Sequence, residues 1–350
     1  MSSNTTEDND SDLGSGLTGL TNLGNTCFMN TALQCLVHSK TLKDFLNSKK
    51  YETKLNKKIE SLILLEFDKL RELMWSEDCI ISPGGFLSSV QKVAQIKDRT
   101  IFTGFAQNDL TEFLVFIIDC FHMSVAREVD MEITGNVKTD DDKLAKSCYG
   151  MLKTMYGKEY SEFLDMFYGV HVSEISSLDK KSLALRPEPF LLLDIEIADK
   201  NSDGEITLED CIKSYTKSEL LNDDNSYETE DGDKIEAYKK LSFWKLPDIL
   251  VIAIKRFSNG IRKDESLVKF PIDDLDMSSH IVGYNKNNYN YELFGICNHI
   301  GGIMGGHYYA YIKNENNKWY NFNDSDISEI NDISTLTTPS AYCFFYRKKK

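Results

Sequence analysis

At 350 residues, 41% of them hydrophobic, the chain can build one large domain with sub-lobes. Its 40 basic and 55 acidic side chains leave a formal charge of −15, which argues against nucleic acid or an anionic membrane as the main ligand and favours a basic partner. The eight cysteines (Cys27, Cys35, Cys79, Cys120, Cys148, Cys211, Cys297 and Cys343) include no C-x-x-C pair, which excludes a zinc ribbon or thioredoxin motif; free thiols fit a reducing compartment, the cytoplasm or the nucleus.

Residues 1–16 carry Ser, Asn, Asp and Gly with almost nothing to bury, so a disordered tail is expected there rather than a secretory signal. No apolar stretch is long enough to cross a bilayer. From about Asn25 to Phe167 the apolar spacing is helical. Met29, Leu33, Leu36 and Val37 share one face, as do Leu110, Phe113, Leu114, Ile117 and Phe121. Asp109 stands three residues before Glu112, a helix-capping pattern.

From residue 168 short β-rich runs take over, at 190–197, 249–257, 291–297, 307–313, 318–323 and 341–347. Turn signals such as Ser258-Asn259-Gly260 and Asn314-Glu315-Asn316-Asn317 separate several of them. A helical half followed by a stranded half predicts an α+β fold rather than alternating α/β. The acidic stretches 132–143 and 222–233 read as mobile loop tips.

Two segments carry chemistry. Around Cys27, glycines, a cap-type residue (Asn25 or Thr26) and a helical pattern put the thiol at a helix start, where the dipole favours the reactive thiolate. Asn22, just before the turn, offers an amide to a developing oxyanion. Far downstream, His307 follows a Gly-rich loop and opens a strand. A hairpin between 307–313 and 318–323 would return the chain to Asn323 and Asp324, beside that histidine. Thiol catalysis needs such a base and a third group to hold its tautomer. A buried structural cysteine and a structural histidine are the bland alternatives.

These residues carry a resemblance. GLTNLGNTCFMNTALQCL (19–36) resembles the Cys box of the ubiquitin-specific proteases, and NHIGGIMGGHYYAYIKNENNKWYNFNDSDISEI (298–330) is similar to their His box. Between them, QNDLTEFL (107–114) resembles the family's QQD-x-x-EFL box, and PDILVIAIKRF (247–257) its strand ending LKRF. The four occur in family order.

The resemblance implies Cys27 as nucleophile, His307 as general base, Asn323 in the third triad position with Asp324 beside it, and Asn22 in the oxyanion hole. It implies further that Asp109 receives a basic residue of the ubiquitin tail, and that Gln107, Gly305, Gly306 and Tyr308 line the channel for its Gly-Gly end. The implied fold is a papain-like cysteine peptidase shaped like an open hand: a helical thumb over about 17–165, then β-rich fingers and palm over about 166–347. The implied partner of this catalytic domain, 17–347, is ubiquitin or a ubiquitinated protein, met as a monomer without a cofactor.

Many members of the family hold a zinc ion in the fingers with two C-x-x-C pairs. Here those places read Ser176-Ser177-Leu178-Asp179-Lys180 and Glu228-Thr229-Glu230-Asp231, so no metal is expected. Asp199 to Asp210 imitates a calcium loop, but the preceding FLLLDIEI reads as a strand where that motif needs a helix. Two rival functions remain: the same fold holding ubiquitin without cleaving it, and a protease for another Gly-Gly-tailed modifier.

Overall fold

The computed structural model describes residues 15–257, 262–284, 286–302 and 305–349. The tail expected over 1–16 lies outside it as far as residue 14, and so do the turn Ser258-Asn259-Gly260 and residues Ile303 and Met304 of the Gly-rich segment. Ser15 and Gly16 belong to the folded domain. The Ser15 amide donates to Asp78 Oδ1 at 2.9 Å, and the Gly16 carbonyl faces His38 Nε2 at 3.2 Å.

Seven helices form the thumb: α1 (Cys27–Val37), α2 (Lys40–Asn47), α3 (Ser61–Ser76), α4 (Gly84–Ile96), α5 (Leu110–Val125), α6 (Asp140–Tyr156) and α7 (Glu162–Phe167). A short parallel pair, β1 (Gly19–Leu20) with β2 (Ile80–Ile81), pins the chain just ahead of α1. Every residue of α1 is buried, not the single apolar face that its spacing predicts, because α1 is enclosed between the other thumb helices and the sheet. Phe28 meets Phe113 of α5 edge-on, with ring centroids 5.3 Å apart.

The rest is stranded apart from one helix. β3 (Gly169–Ser177), β4 (Ser182–Phe190) and β5 (Leu192–Glu196) lead to β6 (Ile206–Thr207) and α8 (Leu208–Tyr215). Then come β7 (Glu219–Leu221), β8 (Tyr227–Glu228), β9 (Lys234–Ile235), β10 (Ala237–Lys245), β11 (Ile249–Lys255), β12 (Val268–Lys269) and β13 (Leu275–Asp276). β14 (Asn290–Gly302), β15 (Gly305–Lys313), β16 (Trp319–Asn323), β17 (Asp326–Ile330) and β18 (Ala341–Lys348) complete the chain.

Four strands in the order β4-β3-β10-β7 make one sheet, the fingers. The palm runs β17-β16-β15-β14-β18-β11-β5, with β13 paired to β14. Its central strand β11 is a continuous apolar run because both faces are covered. Ile249, Val251 and Ala253 enter the core shared with the thumb, while Leu250, Ile252 and Ile254 enter the core on the opposite side, under α8.

Two loop expectations change. The stretch 132–143 is not all loop, since α6 starts inside it at Asp140. Thr139 and Asp142 cap each other's backbone, and three aspartates in the first turn suit the positive helix end. The acidic 222–233 segment contains a 3₁₀ turn (Asp223–Asn225) and the start of the small β8–β9 hairpin. In the calcium-like loop, Asn201 donates its amide to Asp210 at 3.1 Å, and Thr207 donates to the same carboxylate oxygen at 2.7 Å. Among the described residues no cluster of three or more His, Cys, Asp or Glu side chains is arranged to hold a metal ion, and no helix is long and apolar enough to cross a membrane.

His38, next to α1, faces two carbonyls through its ring nitrogens, of Gln34 at 2.8 Å and of Gly16. Those contacts favour the charged ring, but burial outweighs them and lowers its pKa to about 4. In the unfolded chain the same ring takes its proton near 6.5 (about the free-histidine value). Its contribution is therefore complete above that pH and is lost as pH falls towards about 4. Urea unfolding at stepped pH is expected to show this loss, about 3 kcal/mol for the site, and His38→Gln should remove that share of the slope.

Candidate active site

The loop before α1 is built around the side chain of Asn22. Its Oδ1 accepts from the backbone amides of Gly24 (3.0 Å) and Thr26 (3.1 Å) and from the Thr26 hydroxyl (3.3 Å). Gly24 (φ 103) and Asn25 (φ 55) both take the left-handed conformation that so tight a turn needs. Thr26 occupies the N-cap position but makes no side-chain cap hydrogen bond; its hydroxyl accepts from the Leu23 amide at 2.9 Å instead. Cys27 therefore opens α1 with its sulfur facing backbone N–H groups of Tyr308, Phe28 and Cys27 itself.

These amides favour thiolate, as expected of a helix start, yet the net effect is the reverse. Burial raises the Cys27 pKa above the ordinary thiol value, and the nearby Asp324 carboxylate adds to the rise. The resting side chain is a neutral thiol.

The hairpin expected from the sequence is present: β15 pairs antiparallel with β16, Ala310 opposite Phe322 and Lys313 opposite Trp319. It brings His307 Nε2 to 2.5 Å from Asn323 Oδ1. An amide oxygen there accepts a proton carried on Nε2, so Nδ1 is the ring nitrogen not engaged by Asn323. Among the described residues no hydrogen bond joins His307 to Cys27. The described residues of the Gly-rich segment belong to strands: β14 and β15 stay paired through Gly301 opposite Gly306 and Gly302 opposite Gly305.

Asp324 turns away from the histidine's partner. Its Oδ2 accepts from Asn22 Nδ2 at 2.9 Å and its Oδ1 from Asn30 Nδ2 at 2.8 Å. The two amides thus occupy one oxygen each.

A cavity of about 310 Å³ ends at Cys27, walled by Phe28, Gln107, Asn108 and Asp109 on the thumb side and by Phe257, His299, Gly302, Gly306 and Tyr308 on the palm side. Gln107 spans the two walls. Its Nε2 donates to the Gly306 carbonyl at 2.7 Å, and its Oε1 accepts from the Gly306 amide at 3.2 Å. Gly305 stands beside this bridge rather than on the cavity wall, where a methyl would come 3.8 Å from Gln107 Oε1.

Asp109 caps α5, accepting from the amides of Thr111 (2.8 Å) and Glu112 (3.2 Å) on one oxygen. Its other oxygen accepts from the hydroxyls of Tyr342 (2.7 Å) and Tyr308 (3.4 Å). Of the residues expected at the site, Cys27, Gln107, Asp109, Gly306 and Tyr308 line this cavity, while Asn22 with Asp324 and His307 with Asn323 form two hydrogen-bonded pairs, with Asn22 and His307 near lining residues in the chain, and Gly305 stands beside the Gln107 bridge.

Sequence reasoning missed Asn30, Tyr342 and His299. Asn30 is one helical turn beyond Cys27, a spacing that puts both on one face. Tyr342 has no local signal, since only the pairing of β18 brings it near. His299 sits eight residues before His307 and packs 4.5 Å from the Tyr308 ring, centroid to centroid. Burial and the Lys263 charge lower its pKa to about 4, so it lines the cavity as a neutral ring.

A helix that carries a thiol at its N-terminus, packed on a mostly antiparallel sheet that carries an imidazole–amide pair, is the architecture of a papain-like cysteine peptidase. The family follows from comparison. A family model described as ubiquitin carboxyl-terminal hydrolase matches residues 18–346, and the chain belongs to that family. Human ubiquitin carboxyl-terminal hydrolase 2 is 33% identical over 345 residues, 95% of this chain and 55% of the relative. Its chicken counterpart is 35% identical over 354 residues, 95% and 93% of the two chains. The chain thus spans little more than half the length of the human relative. Among solved structures, a SAGA DUB module of Ubp8, Sgf11, Sus1 and Sgf73 bound to monoubiquitin superposes with a TM-score of 0.72 at 26% identity, covering 96% of this chain and 70% of that one.

Two outcomes are expected from this geometry. Alkylation of Cys27 by iodoacetamide, followed by mass spectrometry, should accelerate with pH beyond the range of an ordinary thiol. Asp324→Asn should lower the midpoint by removing a nearby negative charge, and an unchanged midpoint would contradict the electrostatic account. At Gly306 an added Cβ would come 2.2 Å from His299 Nε2 and 2.6 Å from the Ile300 carbonyl. Gly306→Ala is expected to cost about 1–3 kcal/mol of stability in urea unfolding, whereas Gly305→Ala should change it little.

Proposed function

We propose that this chain is a thiol-dependent deubiquitinase that hydrolyses the bond after the C-terminal glycine of ubiquitin. The observation that carries the reading is the His307–Asn323 pair at 2.5 Å, next in the chain to Gly306 and Tyr308, which line the same cavity as Cys27. Gly306 on the cavity wall has no room for a side chain of its own, because a Cβ there would come 2.2 Å from His299 Nε2.

In this reading the ubiquitin tail enters between Gln107 and Gly306, displacing their paired hydrogen bonds. His307 Nδ1 takes the Cys27 proton as the sulfur attacks the glycine carbonyl, so the raised thiol pKa is overcome only with substrate in place. The oxyanion forms beside the free N–H of the Asn22 amide, whose other N–H is held by Asp324. His307 returns the proton to the leaving lysine amine, and the C–N bond breaks to leave a thioester. Water, deprotonated by the same nitrogen, then releases ubiquitin and restores the thiol.

Asn323 holds the imidazole tautomer. Asp324, whose oxygens both accept amides of the nucleophile segment, acts on the oxyanion side. Asp109 already accepts from two amides and two tyrosines, so a basic tail residue meets its remaining negative charge rather than unoccupied oxygens. No step requires a metal or cofactor, and the acidic net charge suits a basic tail. The unit that acts is a monomer, in the cytoplasm or nucleus.

Steady-state release of a fluorophore from the C-terminus of ubiquitin tests the proposal. Activity is expected from the native chain, none from Cys27→Ala, and a loss of about 10²–10³-fold in turnover from Asn22→Ala. Binding of ubiquitin without release by the native chain would replace this reading with a non-cleaving scaffold. Absence of both, with activity on another Gly-Gly-tailed modifier, would change the substrate.

A further inference from the structure

Phe105 is the only phenylalanine exposed among the described residues, with 59% of its surface open. A single exposed aromatic needs no explanation by itself; its attachment to the nucleophile loop does. Asn25 Nδ2 donates to the Phe105 carbonyl at 2.9 Å. The ring stands over Gly24, where a methyl would come 3.8 Å from its Cδ1. Phe105 thus belongs to the rim of the 22–26 loop, the segment that leads from Asn22 into Cys27. It does not line the cavity that ends at Cys27, although Phe28 and Asn108 separate the two as a shared wall.

An isopeptide substrate has two bodies. The acyl side occupies the cavity between the 107–109 segment and the palm strands. The rim formed by the 22–26 loop and the exposed 103–106 segment braced to it adjoins Cys27 in the chain and lies outside that cavity, which leaves it open to the amine side. An apolar ring fixed at that rim is placed to cover apolar surface of the body carrying the scissile lysine, and to do so without touching the ubiquitin tail.

We propose that Phe105 is a specificity-determining contact for the polypeptide on the leaving-group side of the scissile bond. The proposal rests on the deubiquitinase reading and adds to it a preference among amine-side partners.

The test compares ubiquitin bearing a small C-terminal fluorophore, which has no polypeptide on the amine side, with two diubiquitins joined through different lysines of the amine-side ubiquitin. Phe105→Ser should change fluorophore release by less than about twofold, while lowering kcat/KM for at least one diubiquitin about tenfold, mainly through KM. Phe105→Leu should restore most of that loss. Equal effects on all substrates, or undiminished cleavage of both diubiquitins, would overturn the proposal. Failure of the unaltered chain to cleave any of them would instead overturn the underlying reading, and this one with it.

Discussion

The carboxylate of Asp324 accepts amides from both sides of the helix start, Asn22 at 2.9 Å and Asn30 at 2.8 Å, while its backbone carbonyl accepts from Leu20 at 2.8 Å. Asp324 follows Asn323 directly and takes a left-handed conformation, φ 51. One residue of the palm therefore holds three points of the thumb in register: the strand before the loop, the loop amide and the nucleophile helix. The relative placement of Cys27 and the His307–Asn323 pair depends on this junction. Without it the helix and sheet would still bury each other's apolar faces, but hydrophobic contact alone does not define a position to a fraction of an ångström.

The same carboxylate creates an electrostatic conflict. A negative charge near a thiol that must ionise raises its pKa, and burial raises it further, against the three backbone N–H groups that face the sulfur. A nucleophile held neutral at rest is protected from adventitious oxidation and alkylation, which act on the thiolate. In the proposed reaction, ionisation then falls to the imidazole once substrate is bound. The geometry places Asp324 where its charge is useful for orienting an amide and unhelpful for the resting thiolate.

The cleft is held from above by a second polar junction. Asp109 joins the N-terminus of α5 to Tyr308 on β15 and Tyr342 on β18, so thumb and palm meet again at a half-buried carboxylate with both oxygens hydrogen-bonded. Gln107 adds a two-hydrogen-bond bridge to Gly306. In the fingers, the Ser176–Lys180 and Glu228–Asp231 positions form hairpin turns closed by hydrogen bonds, such as Lys181 N to Ser177 Oγ at 3.1 Å and Thr229 N to Asp233 O at 2.9 Å. Packing and ladder hydrogen bonds carry that sheet.

Much of this was legible in the residues alone. Periodicity separated the helical thumb from the stranded remainder, because side-chain burial repeats every 3.6 residues on a helix and every two on a strand. Local patterns singled out Cys27, His307 and Asn323 as candidates and Asp109 as a helix cap, because tight turns, caps and hairpins depend on residues close in the chain; the family resemblance supplied their expected roles. What the sequence could not disclose were the effects of residues far apart. The burial of α1 on every side, the turning of Asp324 towards two amides rather than the imidazole, the Tyr342 contact to Asp109 and the neutral thiol of Cys27 all arise where distant segments meet. Desolvation and hydrogen-bond partnership are properties of the assembled surroundings, and only the tertiary structure decides them.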